Sequence, residues 1–194
     1  MCIRDRLQDA NLSGADLRGA DLTDIVAPMS LFRDADLSDA TLNRAQLQQS
    51  NFCRALLCRV RFQQADLQEA ILTQAQLHGA ICDRTSFSDA ILNGASLIGA
   101  SLQQSNLTDA RLCQANLLEA NLTDADCTRA DLSWTILSKA VLRNTRLHWA
   151  TLRGAICLRS QLAQAQFQNT DLSQAKLQYS DLAEPPLSAD NFRS

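Results

Sequence analysis

The chain has 194 residues, of which 46% are hydrophobic and 5% aromatic, and its 18 basic and 21 acidic residues leave a net charge of −3. This balance excludes a polycation that binds nucleic acid or an anionic membrane through charge alone, and the apolar content excludes a disordered chain. The longest uncharged run, residues 90–108, is broken by Asn, Ser and Gln, so it is too polar for a membrane span.

Residues 1–6 are treated apart from the fold. Residues 1–5 (MCIRD) resemble the translation of a transposon-end adapter used in sequencing libraries, so we expect a non-native scar in front of a fragment of a longer protein. The alternative is an ordinary start methionine. The stretch has no long apolar core and is therefore not a secretory signal, although a fragment could have lost one.

A five-residue repeat starts at Leu7 and continues to the end of the chain. Of the 38 positions ending in 2 or 7 from Leu7 to Phe192, 28 are Leu and six are Phe. Of the 35 positions ending in 0 or 5 from Ala10 to Ser180, 24 are Ala and nine are Ser or Thr. An α-helix would scatter these leucines around its axis, and a long strand would alternate them between its faces. The chain must therefore turn once per repeat, which predicts a solenoid with a narrow core of Leu and Ala.

Residues 15–19 (ADLRG) and 35–39 (ADLSD) resemble the pentapeptide-repeat family, whose motif is A(D/N)LXX. The resemblance covers residues 7–182. It implies an all-β fold, a right-handed quadrilateral parallel β-helix (a solenoid) with about nine coils of 20 residues. Positions ending in 2 or 7 from 7 to 182 are then expected to point inward, and positions ending in 1, 3, 6 or 8 to point outward.

Two segments depart from the repeat. In residues 25–29, Ala27 replaces the core leucine and Pro28 lacks a backbone donor, which predicts a bulged or distorted corner. Near the C-terminus, Pro185 and Pro186 interrupt the pattern, so residues 183–194 are expected to form a cap or tail over the last coil.

Neither catalysis nor a cofactor is expected. Residues 20 apart stack on one another, and on that rule no Ser, Cys or Thr combines with a His and a carboxylate as a nucleophilic site requires. Cys58 stacks on His78, but two ligands are too few for a zinc site, so no metal is expected. No two cysteines of the repeat stack, which predicts free thiols in a reducing cytoplasm, three in the core (Cys82, Cys127, Cys157) and three outside (Cys53, Cys58, Cys113).

Acidic residues form a column on one side of the predicted rod. Glu69, Asp89 and Asp109 lie 20 residues apart, and Asp66 and Asp126 share their face. The column is either a solvated surface or a phosphate-like row that binds a basic groove. The resemblance supports the second reading only weakly. Some family members act as DNA mimics that bind type II topoisomerases, but those are more acidic overall, and this chain has no loop insertion.

Basic residues follow later in the chain. Because they are distributed over all four faces, they form a belt and not a patch, so nucleic-acid binding is not expected. Trp134 and Trp149 lie at corners of this belt, and Arg129 stacks under Trp149, which predicts a cation–π contact. The members of the belt are Lys139, Arg143, Arg146, Arg153 and Arg159.

One face carries apolar side chains at outward positions. Two readings are open: β-branched residues chosen for strand propensity, or a contact surface for a protein partner or a second copy. The predicted contact residues are Leu56, Ile98, Leu118, Ile136, Ile156 and Leu158.

The sequence thus predicts a non-enzymatic scaffold or protein-interaction module, bacterial and cytoplasmic, that binds an unknown protein partner or itself. The alternative is a DNA-mimic protein that binds a type II topoisomerase and regulates gyrase. Enzymatic activity is a distant third because no constellation of acid, base and nucleophile is found.

Overall fold

Single-residue β-bridges, each joining residues 20 apart, define the architecture of the chain. The computed structural model describes residues 7–182 and Asn191. All the bridges are parallel, from Asn11↔Leu31 to Gln161↔Asp181, and between two bridges the chain makes one turn. The result is the predicted right-handed quadrilateral parallel β-helix. Residues 7–182 contain no α-helix. At ~4.8 Å per coil, about nine coils make a rod roughly 43 Å long.

The inward positions form a continuous core. Every position ending in 2 or 7 from Ala27 to Leu162 is at most 1% exposed. In the outer coils, Leu7, Leu12, Leu17, Leu22, Phe167 and Leu177 are only partly buried, and Leu182 is 44% exposed. These residues have a described coil on only one side. The outward positions from 7 to 182 are half-buried or exposed as predicted, except for the buried Ser173.

The backbone hydrogen bonds explain the repeat motif. We number the repeat Ala-Asp-Leu-X-X from position 1 to position 5. The amides of positions 2, 3 and 5 bond to neighbouring coils, as Ile91, Leu92 and Gly94 do at 2.7–2.9 Å, and the amide of position 1 closes a turn. The position 4 amide has no place in this ladder. An Asp or Asn at position 2 accepts it, as the Asn106 Oδ1 accepts the Thr108 amide at 3.0 Å.

Every repeat turns its corner in the same way. All position 5 residues from Asp9 to Tyr179 have φ between +55° and +69°, and only six of them are glycine. A positive φ at this third turn residue, with a negative one before it, is the pattern of a type II turn.

The predicted distortion at residues 25–29 is wrong, because the corner is regular. Ala27 donates to the Gln46 carbonyl and Met29 to the Gln48 carbonyl, both at 2.8 Å. Pro28 occupies position 4, where a type II turn favours proline and where the ladder uses no amide.

The polar core residues are hydrogen-bonded. Where Ser or Thr replaces the alanine of position 1, its hydroxyl donates to the backbone carbonyl of a position 3 residue, usually of the preceding coil. Thr85 donates to Phe62 and Ser160 to Leu137, both at 2.7 Å. The core therefore accepts hydroxyls without an unsatisfied donor at these positions.

The predicted terminal segments, residues 1–6 and 183–194, lie outside the described residues except for Asn191. The Asn191 side-chain amide donates to the carbonyls of Phe167 at 2.9 Å and Thr170 at 2.8 Å.

None of the helices in the described part of the chain has the length and apolar character that a membrane crossing requires.

Candidate interaction surfaces

The six apolar residues lie on one side of the rod, which we call the apolar face. They occupy positions 2 and 4 of the repeats that form this side. Ile136 and Ile156 pair in a β-bridge, and Ile98 and Leu118 occupy the same position in consecutive coils. Ile136 is 38% exposed and the other five are half-buried. The six side chains are therefore aligned as predicted, but five of them are partly covered by their neighbours.

The centre of the apolar face has no charge. Its outward positions in four consecutive coils, from Ser96 to Leu158, are only Ser, Asn, Ile and Leu. At one edge, Trp134 is 49% exposed and its indole lies over Gly154. At the other edge, the Lys139 ammonium bonds to the Glu119 carboxylate at 2.8 Å. The face is a flat strip with an aromatic corner on one side and an ion pair on the other.

The acidic column carries less unpaired negative charge than the sequence suggests. The Gln49 side-chain amide donates to Glu69 at 2.9 Å at one end. At the other end Arg129 forms a bidentate ion pair with Asp109, and this pairing holds the pKa of Asp109 below its usual value. Asp89 lies between them. The column therefore ends against a guanidinium and does not continue along the rod.

Asp66, on the same face, accepts hydrogen bonds from the Gln48 side chain at 2.6 Å and the Gln68 amide at 3.1 Å. Asp126 accepts the amide and hydroxyl of Thr128 and pairs with Arg146 at 3.3 Å. Both carboxylates thus support the local turn as well as facing solvent.

The basic belt is partly neutralised. Lys139 and Arg146 are in ion pairs, whereas Arg143, Arg153 and Arg159 form none within residues 7–182.

The predicted cation–π contact of Arg129 with Trp149 is wrong, since the described residues show no such pair and the guanidinium turns back to Asp109. At this corner a carboxylate that forms two hydrogen bonds with the guanidinium binds it more strongly than the face of an indole ring would.

The cysteines are placed as the sequence predicts. Cys82, Cys127 and Cys157 are buried, Cys53, Cys58 and Cys113 are half-buried, and all six are free thiols. No group of three or more metal-ligating side chains occurs in the described part of the chain.

His78 has a partner that the stacking rule missed. Its Nδ1 lies 3.9 Å from the Cys58 Sγ, as expected from a spacing of 20, and its Nε2 lies 2.7 Å from the Ser96 Oγ, at a spacing of 18. A spacing of 18 joins position 4 of one coil to position 2 of the next. Counting neighbours at 18 as well as at 20 would have found this contact.

A shallow polar groove of about 350 Å³ is the second feature that sequence reasoning missed. Its carboxylate and guanidinium are engaged internally, because Asp83 accepts the Ser101 hydroxyl at 2.5 Å and Arg84 donates to Gln104 at 2.9 Å. Its amide-rich walls come from pairs of residues repeated every 20 positions. The lining residues are Gln63, Gln64, Asp83, Arg84, Gln103 and Gln104.

The family model for pentapeptide repeats matches the chain in eight copies, over residues 6–24, 35–74, 70–109, 100–138, 120–156 and 140–178. The chain belongs to the pentapeptide-repeat family. No curated protein matches this pentapeptide-repeat sequence significantly.

Solved pentapeptide-repeat structures resemble the chain over most of its length. HetL, a protein involved in heterocyst differentiation regulation from the cyanobacterium Nostoc sp. strain PCC 7120, is 27% identical, with a TM-score of 0.58 over 91% of this chain and 86% of its own. A trypsin-treated variant of QnrB1, a plasmid-mediated fluoroquinolone resistance protein, is 22% identical, with a TM-score of 0.58 over 90% of this chain and 80% of its own. The second likeness shows the fold alone.

Proposed function

We propose that this pentapeptide-repeat protein is a non-enzymatic interaction module that pairs through its apolar face, and that a second copy of the chain is the partner. The observation that supports the proposal is the uncharged strip from Ser96 to Leu158, four coils tall, with Ile136 exposed at its centre. Exposed apolar strips of this kind favour contact with another protein surface.

The energetics favour this side over the charged corners. Covering apolar surface gains roughly 25 cal/mol per Å². Exposed ion pairs, such as Asp39–Arg59 and Asp24–Arg44, contribute only about 0–1 kcal/mol each. The apolar strip is therefore the part of the surface with most to gain from being covered.

A second copy suits the strip because the strip is flat and carries no charge. A twofold axis through its centre would set each apolar side chain against the same uncharged strip, so no unpaired charge would be buried. Two sheet faces pack at ~10 Å, a separation that Ile and Leu side chains fill. A different protein with a flat apolar surface is the alternative partner.

The test is a fourfold variant in which Ile98, Leu118, Ile136 and Ile156 are replaced by Thr, which keeps β-propensity and leaves the core untouched. We expect sedimentation velocity to show a dimer for the unmodified protein and a monomer for the variant, with unchanged circular dichroism. A monomeric unmodified protein that copurifies a different protein through this face would transfer the proposal to that partner. An unchanged mass and unchanged copurifying proteins would refute it.

A matched control changes the same number of outward apolar residues on the other sides of the rod. Ile71, Ile81, Ile91 and Val141 are all half-buried and lie outside the apolar face. Replacing these four by Thr should leave the sedimentation coefficient unchanged. Loss of the dimer in both variants would mean that general destabilisation, and not the apolar face, explains the result.

The non-enzymatic assignment is part of the proposal. It is supported by the surroundings of His78, whose hydrogen-bond partners are a thiol and a hydroxyl with no carboxylate. A bacterial and cytoplasmic setting is proposed because the six described cysteines are free thiols and because HetL comes from a cyanobacterium.

The alternative function, a DNA mimic that binds a type II topoisomerase, is favoured by one observation, the one-per-coil stack of Glu69, Asp89 and Asp109. Arg129 forms an ion pair with Asp109 at the end of that stack, so the row of negative charge stops there. We therefore expect no inhibition of gyrase supercoiling at sub-micromolar protein. Such inhibition, lost when the three acids are changed to their amides, would reverse the ranking of the two functions.

A further inference from the structure

Cys58, His78 and Ser96 form a hydrogen-bonded chain on the outer surface of three consecutive coils. The Cys58 Sγ lies 3.9 Å from the His78 Nδ1, and the His78 Nε2 lies 2.7 Å from the Ser96 Oγ. All three side chains are half-buried, so in the monomer the thiol is held in place but can be reached from solvent. They lie on the same side of the rod as Leu56 and Ile98, so this chemistry belongs to the monomer and not to the proposed dimer. The arrangement contains a nucleophile, a base and a hydroxyl that orients the base.

Serine suits the third place because its hydroxyl oxygen can accept a hydrogen bond from the Nε2–H of the histidine. When the Nε2–H of His78 donates to the Ser96 Oγ, the Nδ1 is left as an acceptor for the thiol proton. After transfer of that proton, both ring N–H groups have partners, the thiolate on one side and the hydroxyl oxygen on the other. The imidazolium and the thiolate then stabilise each other.

The chain supplies a comparison in Cys53. Both cysteines are half-buried free thiols, and both immediately precede an arginine at a corner. Arg54 is paired with Asp34 at 2.7 Å and Arg59 with Asp39 at 2.6 Å. At the same position in the adjacent coils Cys58 has Ser38 and His78, whereas Cys53 has Arg33 and Thr73. A histidine therefore distinguishes Cys58, and a guanidinium distinguishes Cys53.

We propose that Cys58 is a modification site that reacts with low-molecular-weight disulfides, with His78 as its base and Ser96 as a positioning residue. The Cys58 thiol gives its proton to the His78 Nδ1. The thiolate attacks one sulfur of the disulfide, so that a new S–S bond forms at Cys58 while the original S–S bond breaks. The leaving thiolate takes the proton from the imidazolium. Cys58 is oxidised and the released thiol is the reduced product.

The adduct persists because none of the other five cysteines within residues 7–182 lies beside Cys58. The nearest cysteine along the chain, Cys53, belongs to the preceding repeat and therefore to the neighbouring side of the rod. Cys113 lies on the same side of the rod as Cys53, three coils further along. Cys82, Cys127 and Cys157 are buried in the core. An external thiol is therefore needed to reverse the modification.

The charged groups around Cys58 are few, which makes a pH profile interpretable. The side of the rod that carries it places Leu56, Gln76 and Ile98 beside the Cys58–His78–Ser96 chain. Among residues 7–182, the charged groups near this chain are Arg59 with its partner Asp39 at the corner, and Asp36, which pairs with Leu56 in a β-bridge and lies 3.8 Å from Arg18. Arg59 and Asp39 both remain charged around neutral pH, because their ion pair lowers the pKa of Asp39 and raises that of Arg59.

The experiment measures the alkylation rate of each cysteine in the full chain with iodoacetamide, at a protein concentration at which sedimentation velocity shows a monomer. The rates are read by peptide mass spectrometry after digestion with trypsin. Arg54 and Arg59 place Cys53 and Cys58 in different tryptic peptides. At neutral pH we expect Cys58 to react about fivefold or more faster than Cys53 and Cys113, because a free thiol is only a few per cent thiolate there. With glutathione disulfide, the glutathione adduct should appear first on Cys58 and be removed by reductant.

Two variants separate the proposed chemistry from simple exposure. His78→Gln should bring the Cys58 rate down to that of Cys53 and leave the Cys53 and Cys113 rates unchanged, since Gln occurs at position 4 of several repeats and preserves the fold. Ser96→Ala should reduce the Cys58 rate by a smaller factor and alter its dependence on pH. A Cys58 rate within twofold of the Cys53 rate, or an advantage that survives His78→Gln, would overturn the proposal.

Discussion

Gly154 provides the sharpest test of the side-chain arrangement at the corners. A Cβ atom at Gly154 would lie 2.3 Å from Cε3 and 2.4 Å from Cζ3 of Trp134. Gly99 has nearly the same backbone, with φ of +63° against +66°, yet nothing lies within 4 Å of its Cβ position. The pair Gly154→Ala and Gly99→Ala therefore isolates the clash with the indole from the strain of a left-handed alanine.

The magnitudes of the two effects differ enough to be measured. A left-handed non-glycine residue costs about 1 kcal/mol, and both variants carry that cost. Trp134 is 49% exposed, so about half of its surface, on the order of 100 Å², is covered by protein. Displacing the indole completely would lose up to about 2.5 kcal/mol at ~25 cal/mol per Å². We expect about 1 kcal/mol of destabilisation for Gly99→Ala and about 2–3.5 kcal/mol for Gly154→Ala.

The assay combines urea unfolding with tryptophan fluorescence in a Trp149→Phe background, so that Trp134 is the only emitter. Gly154→Ala should move the emission to longer wavelength as the indole becomes solvated, and Gly99→Ala should leave it unchanged. Equal destabilisation of the two variants with no change in emission would refute the position assigned to the indole.

Three further predictions concern the turns, the corner ion pairs and the core thiols. Asn106→Ala removes the acceptor of a position 4 amide and should lower the unfolding free energy by about 1 kcal/mol, whereas Gln76→Ala, which removes no such acceptor, should have little effect in the same denaturation assay. Because Arg129 lowers the pKa of Asp109, the ion pair stabilises the fold at pH values above the ordinary aspartate pKa, and this stabilisation is lost as the pH falls through the lowered pKa. On acidification, Arg129→Gln should therefore lose less stability than the unmodified protein, as measured by thermal unfolding. Burial raises the pKa of the Cys127 thiol to about 12, so this cysteine should resist a thiol reagent until the protein is unfolded, and native reactivity would contradict the closed core.

The period of five was enough to predict the fold because it constrains every coil in the same way. Leu107 is typical: its place in the register predicts an inward side chain, and the structure buries it completely. Phe87 is also completely buried, since this larger apolar side chain remains in register with the leucines. Repetition makes such predictions dependable, because an error in phase at one repeat would expose the core of all later repeats.

The error at Pro28 has a specific physical cause. If every amide of a β-solenoid donated to the ladder, a proline would remove one of these hydrogen bonds. In this fold, position 4 contributes no amide to the ladder, and it is the turn residue whose φ proline already matches. Predicting the regular corner requires knowing which acceptor each amide of the repeat bonds to, and the five-residue period alone does not give this.

The candidate sites were predicted less completely because they depend on the direction in which outward side chains lean. A spacing of 20 places His78 over Cys58, but the ring also turns diagonally to Ser96. Likewise, Arg129 was expected to reach forward to Trp149 and instead reaches back to Asp109. The repeat keeps position 3 mostly large and apolar and position 1 mostly small, while positions 2, 4 and 5 vary widely in sequence. Function in such a rod therefore depends on neighbouring outward residues at spacings of both 18 and 20, and a search for sites in this chain must examine both diagonals of every face.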